Sequence, residues 1–245
     1  MLDFNSSSTF CERVTALIDA GLQAREQQQV RRRYLGASRL GVSCERQLQY
    51  EYAQAPVDAD KAFSGRILRI FERGHRNEES VVGWLRAAGF VLKTEGKDGQ
   101  QFGFSVAHGK LQGHCDGVFV GGPEGFAYPA LWETKCLGAK GFRELQKSGL
   151  AVAKPVYHAQ VVVYQAYFGL HENPAIFTAI NADSMEIYAE LVPFDAALAQ
   201  RMSDRAVKVI TATEAGELLP RAFAQASDFE CKFCSYAQRC WGGAL

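Results

Sequence analysis

Three side chains in one short stretch could together do chemistry on a phosphate. Asp116 lies in Gly113-His114-Cys115-Asp116-Gly117-Val118-Phe119, and Glu133 and Lys135 lie in Ala130-Leu131-Trp132-Glu133-Thr134-Lys135. Both segments read as strands. Residues two apart on a strand share a face, so Glu133 and Lys135 project together and Thr134 points away. If the segments pair as a hairpin, Asp116 joins them. Two carboxylates bind a hard divalent cation through oxygen. A neighbouring ammonium can hold or activate a water, or steady a phosphate oxygen. Such a set suits metal-assisted hydrolysis of a phosphodiester.

Helices must bring further groups to that hairpin. Residues 61–89 carry the longest helical pattern, with Phe63, Ile67, Ile70, Phe71, Val81, Val82, Trp84 and Leu85 as its apolar face. Within it sits Phe71-Glu72-Arg73-Gly74-His75-Arg76-Asn77-Glu78-Glu79. A helical glycine costs stability, so Gly74 implies a close approach by another group. After the hairpin, a helix starting at Lys154-Pro155 carries Gln160 and Tyr164, four apart and on one face, with Tyr157 and Tyr167 near them. Lys140 and Arg143 precede it and could touch a nucleic-acid backbone.

Asp116, Glu133-Thr134-Lys135 and the Gln160/Tyr164 helix resemble the PD-(D/E)XK nuclease superfamily, with Cys115 in place of the family's proline, which does no chemistry. The Gln-x-x-x-Tyr pair resembles its RecB-type branch. The resemblance implies a restriction-endonuclease-like α/β fold with a central mixed sheet flanked by helices. It also implies Mg²⁺ or Mn²⁺ held by His75, Asp116 and Glu133. Glu78 or Glu79, one turn on, could replace His75. Lys135 would position or activate the attacking water. Gln160 and Tyr164 would orient the carboxylates or meet DNA.

The chain closes with Cys231-Lys232-Phe233-Cys234-Ser235-Tyr236-Ala237-Gln238-Arg239-Cys240, a C-x2-C-x5-C pattern. Three thiolates leave a tetrahedral or cubane site one ligand short. Cys44 is the candidate fourth. Ser43 reads as an N-cap that puts Cys44 in the first turn of a short helix through Tyr52, where the helix dipole favours thiolate. One cysteine before the nuclease motifs and three after them resemble the iron–sulfur nucleases of the RecB-like branch, the AddB-type nuclease domain and the CRISPR-associated RecB-like exonucleases. That likeness implies that Cys44, Cys231, Cys234 and Cys240 hold a structural [4Fe-4S] cluster. Zinc is the physical alternative, since four cysteines suit both. Cys11, Cys115 and Cys136 read as packed residues.

The expected layout is one domain over residues 1–245. A nuclease core spans about 61–192, and a metal-closed cap is built from about 36–52 and 228–241. Ser8-Thr9 with Glu12 reads as a capping box, and Phe10, Val14, Leu17, Ile18 and Leu22 as the packed face of a first helix. Residues 90–106 read as two strands around a turn at 97–100, and 174–192 as two strands around 181–184. A helix over Phe194 to about Glu214 follows.

Composition is that of a globular protein: 245 residues, 47% hydrophobic and 22% charged. Formal net charge is +0, so nucleic-acid binding cannot be argued from the total. Locally, Arg31–Arg33, Arg39, Arg66, Arg69, Arg73 and Arg76 make the first third basic. No apolar run approaches a membrane span, and no signal-like segment opens the chain. Seven cysteines, an odd number, argue against a disulfide framework and for a reducing, cytoplasmic setting.

The expected function is a metal-dependent deoxyribonuclease, more an exonuclease than an endonuclease. It would act on single-stranded or end-processed DNA in recombination, repair or CRISPR adaptation. A helicase, recombinase or CRISPR-adaptation protein is the expected partner. No phosphate-binding G-x-x-x-x-G-K-[ST] loop is present, so any motor would be another chain. The alternative is a non-catalytic DNA-binding or assembly module with a structural four-cysteine metal centre, iron–sulfur or zinc.

Overall fold

The computed structural model describes residues 9–30 and 32–242. Ser8 and Arg31 lie outside them. Eight helices and eight strands are found among the described residues. Strands β2 (Val91–Lys93), β5 (Gly117–Gly121), β6 (Ala130–Leu137), β7 (Ala175–Asn181) and β8 (Ile187–Val192) form a mixed sheet in the order β2-β5-β6-β7-β8. Only β6 and β7 run parallel, with Glu133 opposite Phe177 and Lys135 opposite Ala179. A chain that leaves β6 and returns parallel must cross over. Helices α4 (Ala139–Ala153) and α5 (Pro155–Tyr167) make that crossover.

The expected hairpin forms: β5 and β6 are antiparallel, with Gly117 opposite Trp132 and Phe119 opposite Ala130. One expectation needs correcting. The segment 113–119 is not one strand, and the sheet is not single. Backbone pairing breaks at Cys115-Asp116, and β4 (Leu111–His114) belongs to a separate three-stranded sheet with β1 (Leu35–Gly36) and β3 (Gly103–Val106). The 90–106 pair is divided the same way, β2 in one sheet and β3 in the other. Asp116 therefore sits at the junction of two sheets.

Apolar side chains cover both faces of the larger sheet. Leu131, Phe177, Phe142, Leu145 and Val161 pack on the α4/α5 side, together with α6 (Ala196–Glu214). Trp132, Phe119, Leu92 and Ile180 pack on the other side, against Val81 of α3 (Gly65–Ala87). Trp132 and Thr134 share that second face: the Trp132 indole donates to Thr178 Oγ1 at 3.0 Å and Thr178 donates to Thr134 at 2.9 Å. Strand alternation then turns Glu133 and Lys135 to the opposite face.

Three helix expectations change. Helix α1 (Phe10–Gln27) has its capping box at Thr9 and Glu12, but it buries none of its residues. Phe10 and Leu17 are both 76% exposed. It is tied to α3 by polar contacts, Arg69 with Asp19 and Arg25 with Glu72, so its apolar stripe is left outside. Helix α3 buries only Gly65, Leu68 and Val81, and Phe63, Ile70, Phe71 and Trp84 of its expected face are exposed. A Cβ at Gly74 would meet nothing within 4 Å, so the close approach inferred there is not made by protein.

The first and last thirds of the chain meet. Asp58 accepts the backbone N–H groups of Gln238 at 2.6 Å and Arg239 at 3.3 Å. The Gln49 amide donates to Glu217 O at 2.5 Å and accepts from Leu219 N at 2.9 Å. Tyr50 and Tyr236 rings lie 5.3 Å apart. No described helix is long and apolar enough to cross a membrane.

Candidate active site

A cleft of about 930 Å³ opens between α3, α5 and the sheet junction. Glu133 is buried at its floor on β6. Its Oε1 accepts from the Lys135 ammonium, two residues along the same strand face, and from the Gln160 amide of α5 at 2.5 Å. Its Oε2 has no hydrogen-bond partner among the described residues. Asp116 stands beside it, held by Thr134 N–H donating to its Oδ2 at 2.8 Å. The β5–β6 ladder ends at Gly117 and Trp132, and beyond that end Thr134 N–H donates to the Asp116 carboxylate. A buried carboxylate oxygen without a donor is costly, and aiming it beside a second carboxylate increases that cost.

The electrostatics follow from this crowding. Burial raises the Glu133 carboxyl well above the usual range, and the Asp116 charge raises it further. Glu78 of α3 is pushed up to about 7, by burial first and then by Asp116. Burial alone would lower the Lys135 ammonium, but Glu133 and Asp116 outweigh it and hold the pKa above its ordinary value. Lys135 is therefore a cation here. Its Nζ also lies 5.4 Å from the Tyr157 ring centre. Burial likewise raises the Tyr164 phenol, followed by the Glu133 charge. Its ring is fixed edge-on by Phe104 and Phe168. Gly113 makes room for that ring, since a Cβ there would come within 2.7 Å of both Phe104 and Tyr164.

The structure thus gathers Asp116, Glu133, Lys135, Gln160 and Tyr164 into one site. His75 lines the same cleft from an exposed position on α3. Of the three candidates on that helix, Glu78 is the group that feels the Asp116 charge and whose own charge raises Glu133. Sequence spacing could not choose among His75, Glu78 and Glu79, because all three lie within about one turn. Arg32, Arg86 and Tyr34 also line the cleft, and only Arg32 belonged to the basic stretch singled out in the sequence. Arg39 pairs with Glu51, Arg69 with Asp19 and Arg76 with Glu79. Lys140 and Arg143 are exposed on α4 and do not line the cleft.

The residues fit a divalent cation by the chemistry of the donors: an orphaned carboxylate oxygen, a second carboxylate and a third within electrostatic reach. Among the described residues no three His, Cys, Asp or Glu side chains are already drawn into ligating geometry. The Lys135 ammonium, rather than convergence of the carboxylates, supplies the compensating charge.

The second cluster is small. Cys44, Cys231, Cys234 and Cys240 line one cavity of about 20 Å³ with Tyr50 and Trp241. Cys44 is the N-cap residue of α2 (Glu45–Tyr52), one place earlier than expected, with Ser43 outside the helix. Burial raises the Cys234 thiol, followed by the charges of its three cysteine neighbours once its Tyr236 bond is set aside. Tyr236 N–H donates to Cys234 Sγ at 3.4 Å and Arg46 to Cys240 Sγ at 3.8 Å. Such donors favour thiolate, the ligating form. Four sulfurs suit zinc or iron–sulfur. Cys115 is buried and Cys11 exposed, while Cys136 lines the large cleft.

No family model matches the sequence, and no curated protein matches it. Solved structures do. An alkaline exonuclease from Laribacter hongkongensis matches with a TM-score of 0.54 at 16% identity, over 80% of this chain and 93% of that one. The protein SSO0001 matches with a TM-score of 0.53 at 15% identity, over 93% of this chain and 96% of that one. At such identity the likeness concerns the fold alone: this chain shares the fold of these two structures.

Proposed function

We propose that the protein is a metal-dependent deoxyribonuclease of the RecB-like branch, acting as an exonuclease on single-stranded or end-processed DNA. One observation carries this reading: the unpartnered Oε2 of buried Glu133, next to Asp116 and opposite an ammonium. A structural strand would not leave that oxygen bare. A Mg²⁺ or Mn²⁺ bound by Glu133, Asp116 and Glu78, with His75 in reach of the cleft, would polarise the scissile phosphate and lower the pKa of a bound water.

The chain's own groups do the rest. Lys135, kept protonated by two carboxylates, holds the water or a non-bridging phosphate oxygen and offsets negative charge as it builds. Gln160 fixes the Glu133 carboxylate through Oε1, while Oε2 stays buried with no hydrogen-bond partner among the described residues. Tyr164 closes the floor against water, while Arg32 and Arg86 supply positive charge for the DNA backbone. Cys44, Cys231, Cys234 and Cys240 hold a structural metal centre, a [4Fe-4S] cluster or zinc, that locks the two ends of the chain. The pathway reading is recombination, repair or CRISPR adaptation, alongside a helicase, recombinase or adaptation protein, in the cytoplasm.

The test is digestion of end-labelled linear and covalently closed circular DNA, single- and double-stranded, with Mg²⁺ or Mn²⁺. Wild type is compared with Asp116→Ala. Cleavage of linear single strands by wild type alone supports the proposal, and cutting of the circle would reassign the enzyme as an endonuclease. No cleavage by the folded wild type would leave a DNA-binding module.

A further inference from the structure

Beyond the charged floor, the cleft has an apolar wall that the chemistry proposed above does not use. Phe71 and Ile70 of α3 line the cleft and are 46% and 39% exposed. The Phe71 ring is not free to fold away. Phe63 meets it edge-to-face, with centroids 5.0 Å apart and an interplanar angle of 86°. One turn on, Gly74 lines the same cleft, and a Cβ there would enter open space. One further turn brings Glu78, beside Asp116. Spacings of three, four and seven put Phe71, Gly74 and Glu78 on one helix face. The order along it is a braced aromatic ring, a gap, then the carboxylate site.

We infer that Phe71, flanked by Ile70, is a stacking site for an unpaired nucleobase of the strand being cut, and that Gly74 leaves the gap through which the strand's backbone passes to the carboxylates. The inference rests on the nuclease reading and deepens it by naming the substrate form. Base faces are the apolar part of a nucleic acid, and they stack on aromatic side chains without regard to sequence. Bases in a duplex already stack on each other and do not present a free face. Phe71 and Glu78 are seven residues apart, about 10 Å along the axis. At about 3.4 Å per stacked nucleotide, the base on Phe71 lies within about three nucleotides of the scissile phosphate. Arg32 and Arg86 elsewhere on the cleft wall serve the phosphates. The division of labour gives tight binding of single strands from a chain with no net charge.

The experiment measures binding by fluorescence anisotropy in buffer with no added divalent metal and no chelator, so that no cleavage is needed and the cap is left intact, and cleavage in Mg²⁺ or Mn²⁺ separately. Oligonucleotides carry one abasic site walked through the four positions nearest the cut end. Wild type should bind the intact single strand about 5- to 150-fold more tightly than Phe71→Ala does, as loss of one base–aromatic stack implies. One abasic position should weaken wild type by a similar factor and leave Phe71→Ala unaffected, and Phe71→Trp should restore both. Duplex binding should not respond to the substitution. Gly74→Leu should raise the melting temperature, as removal of a helical glycine does, yet weaken single-strand binding.

If wild type cuts DNA but Phe71→Ala binds single strands normally, or shows the same abasic penalty at every position, the base site is refuted and the nuclease reading stands. If the Phe71 signature appears in binding and no metal supports cleavage, the base site stands and the nuclease reading falls.

Discussion

The cleft and the cysteine cap solve opposite problems. In the cleft, protein groups hold the two strand carboxylates in place and leave one oxygen unsatisfied: Glu133 Oε1 is fixed by Lys135 and Gln160, Asp116 by Thr134 N–H, and Glu133 Oε2 by no group among the described residues. In the cap, the four sulfurs share a cavity, but the segments that carry them are short. Helices α7 (Phe229–Phe233) and α8 (Ala237–Trp241) have five residues each and bury none. Their ties to the rest of the chain include hydrogen bonds to Asp58, Lys61 donating to Lys232 O, Arg221 donating to Cys240 O, and Tyr50 against Tyr236. A cation in the cleft would add chemistry to a site already folded. A metal in the cap would contribute to the fold itself.

That contrast can be broken at four places. Cys234→Ser should have the largest effect: loss of the cap metal and a stability cost above about 4 kcal/mol, in the range where loss of a metal ligand belongs. Elemental analysis and thermal melting read it. A folded variant with full metal content would remove Cys234 from the ligand set. Lys135→Ala should lower the melting temperature, because buried Glu133 loses its cation, keep the cap metal, and lower the cleavage rate of the folded protein about 10²- to 10³-fold, the scale of removing one preorganised charge-stabilising group. Single-turnover kinetics measure it, and unchanged turnover would exclude the role. Gln160→Ala should weaken Mn²⁺ affinity or activity about 10- to 100-fold, as for other partners that orient a metal-ligating carboxylate, read as a raised Mn²⁺ requirement. The smallest effect should come from Asp58→Asn. It removes charge from two N–H acceptors without touching a sulfur, and should cost about 1 kcal/mol with activity retained, checked by denaturant titration. If Asp58→Asn cost as much as Cys234→Ser, the hydrogen bonds and not a metal would hold the cap.

The sequence made the β5–β6 hairpin legible because alternation and two charged strand ends are local signals. The same locality put Glu133 and Lys135 on one face and Thr134 on the other. It hid three things that tertiary contacts decide. Nothing local marks the break at Cys115-Asp116, where the chain leaves one sheet for the other and the Asp116 carboxylate accepts from Thr134 N–H. The rotation of α3 over the sheet, which brings Glu78 toward Asp116 while His75 stays exposed, depends on Val81 packing against Trp132 and Leu92. The stripe of α1 has the periodicity of a buried face, yet the helix is held by Asp19 and Arg25 and the stripe stays outside. The close approach expected at Gly74 is made by no described protein group: the glycine lines the cleft, and a Cβ there would enter open space.

The bare oxygen of Glu133 is the centre of the account, and Mn²⁺ binding tests it most directly. Free Mn²⁺ is followed by electron paramagnetic resonance as protein is added, with wild type beside Glu133→Gln, which keeps the side chain's volume and removes its charge. The account predicts that wild type takes up an ion that Glu133→Gln, equally folded and with the same cap metal, does not. Equal uptake by both proteins would contradict it.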